Sequence, residues 1–348
     1  MLRCSLLAWF VVALPLHAEE KKPLPPPDAK AALLKLLDRP KVPADRKAEG
    51  EPVEKDGLVY TRWSFASEKD ERVPVLQVAP GGDTSKSPVM IVLHGTGGNK
   101  EGVVSWLEEF AKSGIVGVAI DARHHGGRSG GKKGSEAYVA AITQAWRTPA
   151  GQPRKHPFYY DTVWDLWRLT DVLQADDAKR KVGMLGISMG GIQTWLAASV
   201  DDRVSVAAPL IAVQSFKWSL ENDKWQGRAN TIKAAHEAAA ADLGEPLVNR
   251  RVCRELWSTI IPGILDDFDC PNLIRLFAGR ALFISNGDKD ANCPVEGARI
   301  AIASAKDAFT KSGDEAKLEV HIGENVGHTV TPEHRKAAMA FCAKWLKK

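Results

Sequence analysis

Six short apolar runs without polar alternation recur along the chain: Val-Met-Ile-Val-Leu (89–93), Ile-Val-Gly-Val-Ala-Ile (115–120), Val-Gly-Met-Leu-Gly-Ile (182–187), Val-Ser-Val-Ala-Ala-Pro-Leu-Ile (204–211), Arg-Ala-Leu-Phe-Ile-Ser (280–285) and Leu-Glu-Val-His-Ile (318–322). A strand with one wet face alternates polar and apolar residues. These runs do not, so they predict strands covered on both faces, in a mostly parallel sheet with helices on each side. Helical spacing fills the intervals at 101–111, 160–173, 189–199, 294–310 and 332–345. The class is therefore α/β. Upstream, Leu-Val-Tyr-Thr-Arg-Trp-Ser-Phe and Val-Pro-Val-Leu-Gln-Val-Ala flank a charged turn at Glu68 to Glu71, which predicts an antiparallel hairpin before the parallel strands.

The interval between Ile211 and Arg280 is too long for a simple crossover. Residues 217–277 contain an Ala-rich helix ending at Gly244 and a second with Val248, Val252, Leu256 and Ile260 on one face, stopped by Pro262. This reads as an inserted helical cap within a domain spanning 51–348. Residues 19–50, rich in proline and charge, read as a linker or arm, although Ala31 to Leu37 has brief helical spacing. Residues 1–18 have the form of a secretory signal peptide: Arg3, an apolar run from Leu6 to Leu14, and a small-residue cleavage site at Ala18. A secreted or periplasmic location is expected, with no stable membrane span, since the run is shorter than the ~18 residues a spanning helix needs. The four cysteines beyond the leader, Cys253, Cys270, Cys293 and Cys342, allow three pairings or free thiols. A net charge of +4 is too weak to imply a nucleic-acid partner.

Gly186-Ile187-Ser188-Met189-Gly190 joins one of the buried strands to a helical pattern. Small neighbours let a serine stand on a sharp strand-to-helix turn with its hydroxyl exposed, so Ser188 is the candidate nucleophile. A serine hydroxyl needs a base, a carboxylate and oxyanion donors. His94-Gly95-Thr96-Gly97-Gly98 leaves the strand 89–93 with unobstructed backbone N–H groups, and the donors are expected to be the N–H groups of Met189 and Thr96. His328 lies on the loop leaving the strand 318–322, at the same sheet edge as Ser188 because parallel strands gather their C-terminal loops together. For the carboxylate, Asp290 and Asp288 both lie on the loop after the strand 280–285. Asp290 is preferred because Asn286-Gly287-Asp288 has turn-forming composition.

Five motifs in this order, His-Gly-Thr-Gly-Gly (94–98), Asp-Ala-Arg-His-His-Gly-Gly-Arg-Ser-Gly-Gly (121–131), Gly-Ile-Ser-Met-Gly-Gly (186–191), Gly-Asp-Lys-Asp-Ala-Asn-Cys-Pro (287–294) and Gly-His-Thr-Val-Thr-Pro-Glu (327–333), give residues 88–348 a resemblance to the α/β-hydrolase superfamily. It is similar in style to dienelactone hydrolases, acetyl-xylan-esterase-like enzymes and prolyl-oligopeptidase-like catalytic domains. In such families the aspartate three residues before a Val-Pro pair is the triad acid, which favours Asp290 ahead of Cys293-Pro294, with Cys293 departing from the usual valine. The resemblance implies a serine esterase acting on a small-molecule or carbohydrate ester through an acyl-enzyme, without cofactor.

Arg123, His124 and Trp218 are candidate substrate contacts. Trp225, Trp257 and Trp146, the last in the Pro-rich segment before residue 160, are further aromatic candidates. No metal is expected, since His236-Glu237 is followed by Ala240 where a zinc-binding helix needs its second histidine. Two other readings are a prolyl-oligopeptidase-like peptidase, disfavoured by the short region before the core, and a non-catalytic hydrolase-like binding protein.

Overall fold

The computed structural model describes residues 23–348; the leader read at 1–18 lies outside the described residues. One sheet contains β1 (Lys47–Ala48), β2 (Val53–Lys55), β3 (Leu58–Glu68), β4 (Glu71–Pro80), β5 (Val89–Leu93), β6 (Val116–Ile120), β7 (Val182–Ile187), β8 (Val204–Leu210), β9 (Ala281–Gly287) and β10 (Leu318–Gly323). Its order is β1-β3-β4-β6-β5-β7-β8-β9-β10, with β2 paired to β3. The β3–β4 hairpin is antiparallel and joins β6 antiparallel, whereas β6, β5, β7, β8, β9 and β10 run parallel. Successive connections leave β5 in opposite directions, to β6 on one side and then back across to β7 on the other. That reversal opens a crevice at the C-terminal ends of β5 and β7, where ligands bind in sheets of this kind.

The helices are α1 (Pro26–Leu36), α2 (Val104–Lys112), α3 (Glu136–Trp146), α4 (Tyr160–Leu173), α5 (Met189–Val200), α6 (Phe216–Glu221), α7 (Gln226–Asn230), α8 (Lys233–Asp242), α9 (Arg250–Ile260), α10 (Cys270–Ile274), α11 (Val295–Ser312) and α12 (Pro332–Lys347). Two apolar clusters occupy the two faces of the sheet. One includes Trp106, Leu107 and Phe110 of α2 with Phe341 and Leu346 of α12; the other includes Leu166, Trp195 and Phe309 of α4, α5 and α11. Every residue of β5 and β6 is buried, as their unbroken apolar sequence requires. Among the described residues no helix is long and apolar enough to cross a membrane.

Between β8 and β9 the chain forms α6 to α10, the helical insertion. Asp269 closes it: its buried carboxylate accepts the Ser215 hydroxyl at 2.5 Å, Phe216 N at 2.7 Å and Cys270 N at 2.8 Å. One side chain thereby serves the N-termini of both α6 and α10, the first and last helices of the excursion. The helix α3, in the segment read as Pro-rich, packs against α8 and α9 and buries Tyr138, Ile142 and Ala145. The four cysteines are buried free thiols.

The segment 19–50 differs from a free linker over its described part. Pro25, Pro26 and Pro27 precede and start α1, where a missing N–H costs nothing. Ala29, Leu33 and Leu37 are buried, and Leu24 is tied by its N–H to Asp267 at 3.2 Å and by its carbonyl to Arg275 at 2.8 Å. The spacing Ala29, Leu33, Leu37 is one helical stripe laid on the body. Leu33→Ala is expected to lower unfolding free energy by about 2–4 kcal/mol, the usual range for a fully buried leucine. Urea titration checks it, and a change below about 0.5 kcal/mol would return the segment to the status of a loose arm.

Candidate active site

Three loops at the C-terminal edge of the sheet carry the site. Ser188 lies between β7 and α5 with φ 55° and ψ −112°, a conformation that costs a non-glycine residue about 1–3 kcal/mol. The surroundings hold it there: Ser188 N donates to Leu210 O at 2.9 Å, and its carbonyl accepts Ile192 N at 3.0 Å. The turn also requires bare backbone behind it. A Cβ on Gly190 would stand 2.6 Å from Leu93 O, and one on Gly186 only 2.1 Å from Gly190 O. Gly186 and Gly190 thus permit the strand, the helix and the end of β5 to touch.

Ser188 Oγ lies 2.7 Å from His328 Nε2, and His328 Nδ1 lies 2.7 Å from Asp290 Oδ2. Asp290 is buried, and its other oxygen accepts Asn292 N at 2.8 Å and Cys293 N at 2.9 Å. Asp288 is directed elsewhere. Its Oδ1 accepts Val326 N at 3.2 Å, bracing the loop that carries His328. The two loops meet backbone to backbone, because a Cβ on Gly287 would lie 2.2 Å from Val326 O. The expected turn at 286–288 is shifted, since β9 continues to Gly287: Asn286 and Gly287 stay in register with Ile322 and Gly323, and Asn286 Nδ2 donates to Val213 O.

Beside the serine, a Cβ on Gly95 would lie 3.6 Å from Ser188 Cβ, so Gly95 is seated against the serine turn. Gly95 O accepts His94 Nδ1 at 2.8 Å and Gly98 N at 3.0 Å. In a trans peptide the N–H points opposite to the carbonyl, so the Thr96 N–H is turned away from these loop contacts. Met189 N is an unsatisfied helix-start donor by position. His94 itself is buried, which lowers its pKa, and its Nε2 accepts Ala122 N at 3.1 Å. A neutral ring with Nδ1–H is the tautomer that satisfies both contacts. The sequence reading gave His94 no role, though its position directly before the glycines was visible.

Arg123 is a correction. Its side chain is 1% exposed and is occupied by Asp165 at 2.8 Å, Glu71 at 3.2 Å and Glu68. Arg128 also pairs with Asp165 and Glu71. Burial opposes the Asp165 charge, yet the two guanidinium groups hold its carboxyl well below the usual range. This lattice locks the β6 loop to the β3–β4 hairpin and α4, leaving Arg123 no face for substrate. His124 sits half-buried at φ 63° in that loop, its pKa lowered by burial and by Arg128. Trp218 is half-buried in α6 beside Gly297. Trp257 is core, donating Nε1 to His236 Nε2 at 3.0 Å, and Trp146 donates to Asp242 at 3.1 Å.

Other histidines are similarly engaged: His321 with Glu319 at 2.8 Å and His334 with Ser285 at 3.1 Å. Asp290, Cys293 and His328 bring ligand-type atoms within 4.8 Å of one another. They do not suit a metal, because the Asp290 oxygens already serve two N–H groups and the imidazole. The Cys293 thiol donates to Ile211 O, and burial pushes it up to about 12.

Residues 90–340 match the alpha/beta hydrolase family. No curated protein sequence matches the chain. Among solved structures, an acetyl xylan esterase from Paenibacillus sp. R4 superposes with TM-score 0.61 at 20% identity, over 91% of this chain and 92% of that one. Acetyl Xylan Esterase 1 from Thermoanaerobacterium sp. JW/SL YS485 gives 0.64 at 17% identity, over 97% and 100%. A glucuronoyl esterase from Solibacter usitatus gives 0.62 at 15% identity, over 93% and 92%. The parallel sheet, the strained serine turn at its crevice and the match over most of the chain lead to one assignment: the protein belongs to the alpha/beta hydrolase family.

Proposed function

We propose that the protein is a secreted or periplasmic serine hydrolase that cleaves carboxylic esters through Ser188, His328 and Asp290. The observation that carries this reading is the unbroken hydrogen-bonded line from the Ser188 hydroxyl through both ring nitrogens of His328 to the Asp290 carboxylate. The esterase names of the structural neighbours add to it. The location rests on the leader in the sequence alone.

His328 Nε2 takes the Ser188 proton as Oγ bonds to the ester carbonyl carbon. The carbonyl π pair moves to oxygen, and the oxyanion receives the N–H groups of Met189 and Thr96. Collapse breaks the bond to the alkoxy group, which leaves with the proton from His328. Water then repeats the sequence on the acyl-serine, returning the enzyme and releasing the acid. Asp290 holds the imidazole with Nδ1–H directed away from the serine and stabilises the imidazolium. No step draws on a cofactor.

The test is a matched pair of substrates and a label. Short acyl aryl esters are expected to turn over at least about a hundredfold faster than the corresponding amides, because an amide needs its poorer leaving group protonated. A fluorophosphonate is expected to modify Ser188, read by peptide mass spectrometry. Folded protein that neither hydrolyses the ester nor takes the label at Ser188 would sink the reading.

A further inference from the structure

Arg228, on α7 of the insertion, is 2% exposed, yet among the described residues no carboxylate lies within ion-pairing distance of it. Its Nη2 instead donates to Asn292 O at 3.1 Å and lies 3.1 Å from Cys293 Sγ. Such closeness depends on Gly227, where a Cβ would stand 2.0 Å from Ala291 O. The Asn292 carbonyl and the Cys293 N–H belong to one peptide unit, and that N–H is the one that donates to Asp290 Oδ1. A guanidinium therefore sits at the oxygen end of a peptide dipole whose hydrogen end meets the triad carboxylate. Each polarises the peptide in the same sense, which strengthens both bonds.

The groups that act electrostatically on Arg228 are Tyr159, Cys293, Asp290 and Tyr138, while burial works against its charge. Burial pushes Tyr159 and Cys293 each up to about 12 and Tyr138 well above its ordinary value. All three are neutral at physiological pH, leaving Asp290 as the one carboxylate among the four. Asp288 and Lys289, 3.8 Å apart, share the loop of Asp290, and Ser188 Oγ faces His328 Nε2. Glu324 on the histidine loop is exposed.

We infer that Arg228 is a positioning residue for the acid–base pair: through the Asn292–Cys293 peptide it holds the Asp290 carboxylate in place. The inference rests on the esterase reading above. It also gives the insertion a function, because α7 delivers a charge to the back of the acid loop.

The experiment measures kcat and KM for a short acyl aryl ester with the full chain, Arg228→Gln, Arg228→Lys and Ser188→Ala in parallel. Arg228→Gln carries no charge and its side chain is shorter, so it loses the contact to Asn292 O, and kcat is expected to fall by about three- to tenfold with KM within about threefold of the parent. Arg228→Lys, which keeps the charge and an N–H donor, is expected to keep kcat within about twofold of the parent. A folded Arg228→Gln protein with the parent's kcat overturns the inference, as does Arg228→Lys losing as much kcat as Arg228→Gln. Failure of Arg228→Gln to fold also overturns it, since the residue would then be a structural brace. A parent without ester activity, or an active Ser188→Ala variant, overturns the esterase reading and the inference with it.

Discussion

Ser188→Ala is expected to lower kcat/KM for short acyl aryl esters by at least about 10⁴-fold, leaving only what binding and the oxyanion donors provide. Removing Oγ deletes the proposed nucleophile and, among the described residues, the side-chain contact that engages His328 Nε2. The backbone should not relax, because Ser188 N and O keep their bonds to Leu210 and Ile192, and alanine meets the same φ of 55°. Thermal unfolding within a few degrees of the parent would establish that the fold is retained. A loss smaller than tenfold with the fold intact would exclude Ser188 as the nucleophile.

Asp290→Asn separates the two carboxylates that the sequence left open, with an expected loss in kcat of about 10⁴-fold. The reason lies in the loop. One side-chain oxygen accepts two backbone N–H groups, from Asn292 and Cys293. An asparagine must keep its oxygen on that side, so its amide NH₂ faces His328 Nδ1. The imidazole then accepts at Nδ1 and carries its proton on Nε2, where it can no longer take one from Ser188. Asp288→Asn, whose amide oxygen can still accept Val326 N, is expected to cost less than about tenfold. Equal losses in the two variants would show that the acid has been assigned to the wrong residue.

Local sequence carried much of the candidate site. Ser188 was legible because the glycines around it answer a steric demand of the strand-to-helix turn, and such demands are written in adjacent residues. His328 was legible from its place after an apolar run. The helix α3 was missed although Tyr138, Ile142 and Ala145 have helical spacing, because prolines and charges on either side dominated the reading of that segment. Likewise, the proline-rich composition of 23–37 hid the stripe of Ala29, Leu33 and Leu37.

Arg123 illustrates the opposite error. A charged residue on a cleft-bordering loop looks like a substrate contact until its partners are known, and those partners come from Glu68, Glu71 and Asp165, on a hairpin and a helix remote in sequence. The same holds for Arg228, separated by 64 residues from the carbonyl it binds.

By itself, the order of buried runs, helical intervals and glycine-bounded turns determined the α/β class, the sheet edge that bears the candidate site and the residue types gathered there. These follow from short-range sterics and from the need to bury unbroken apolar strands. Tertiary structure alone decided which aspartate faces the imidazole, which arginine is spent on bracing and which reaches the acid loop. Those outcomes depend on hydrogen bonds and charge pairs between segments tens to hundreds of residues apart, and local pattern does not encode such distances.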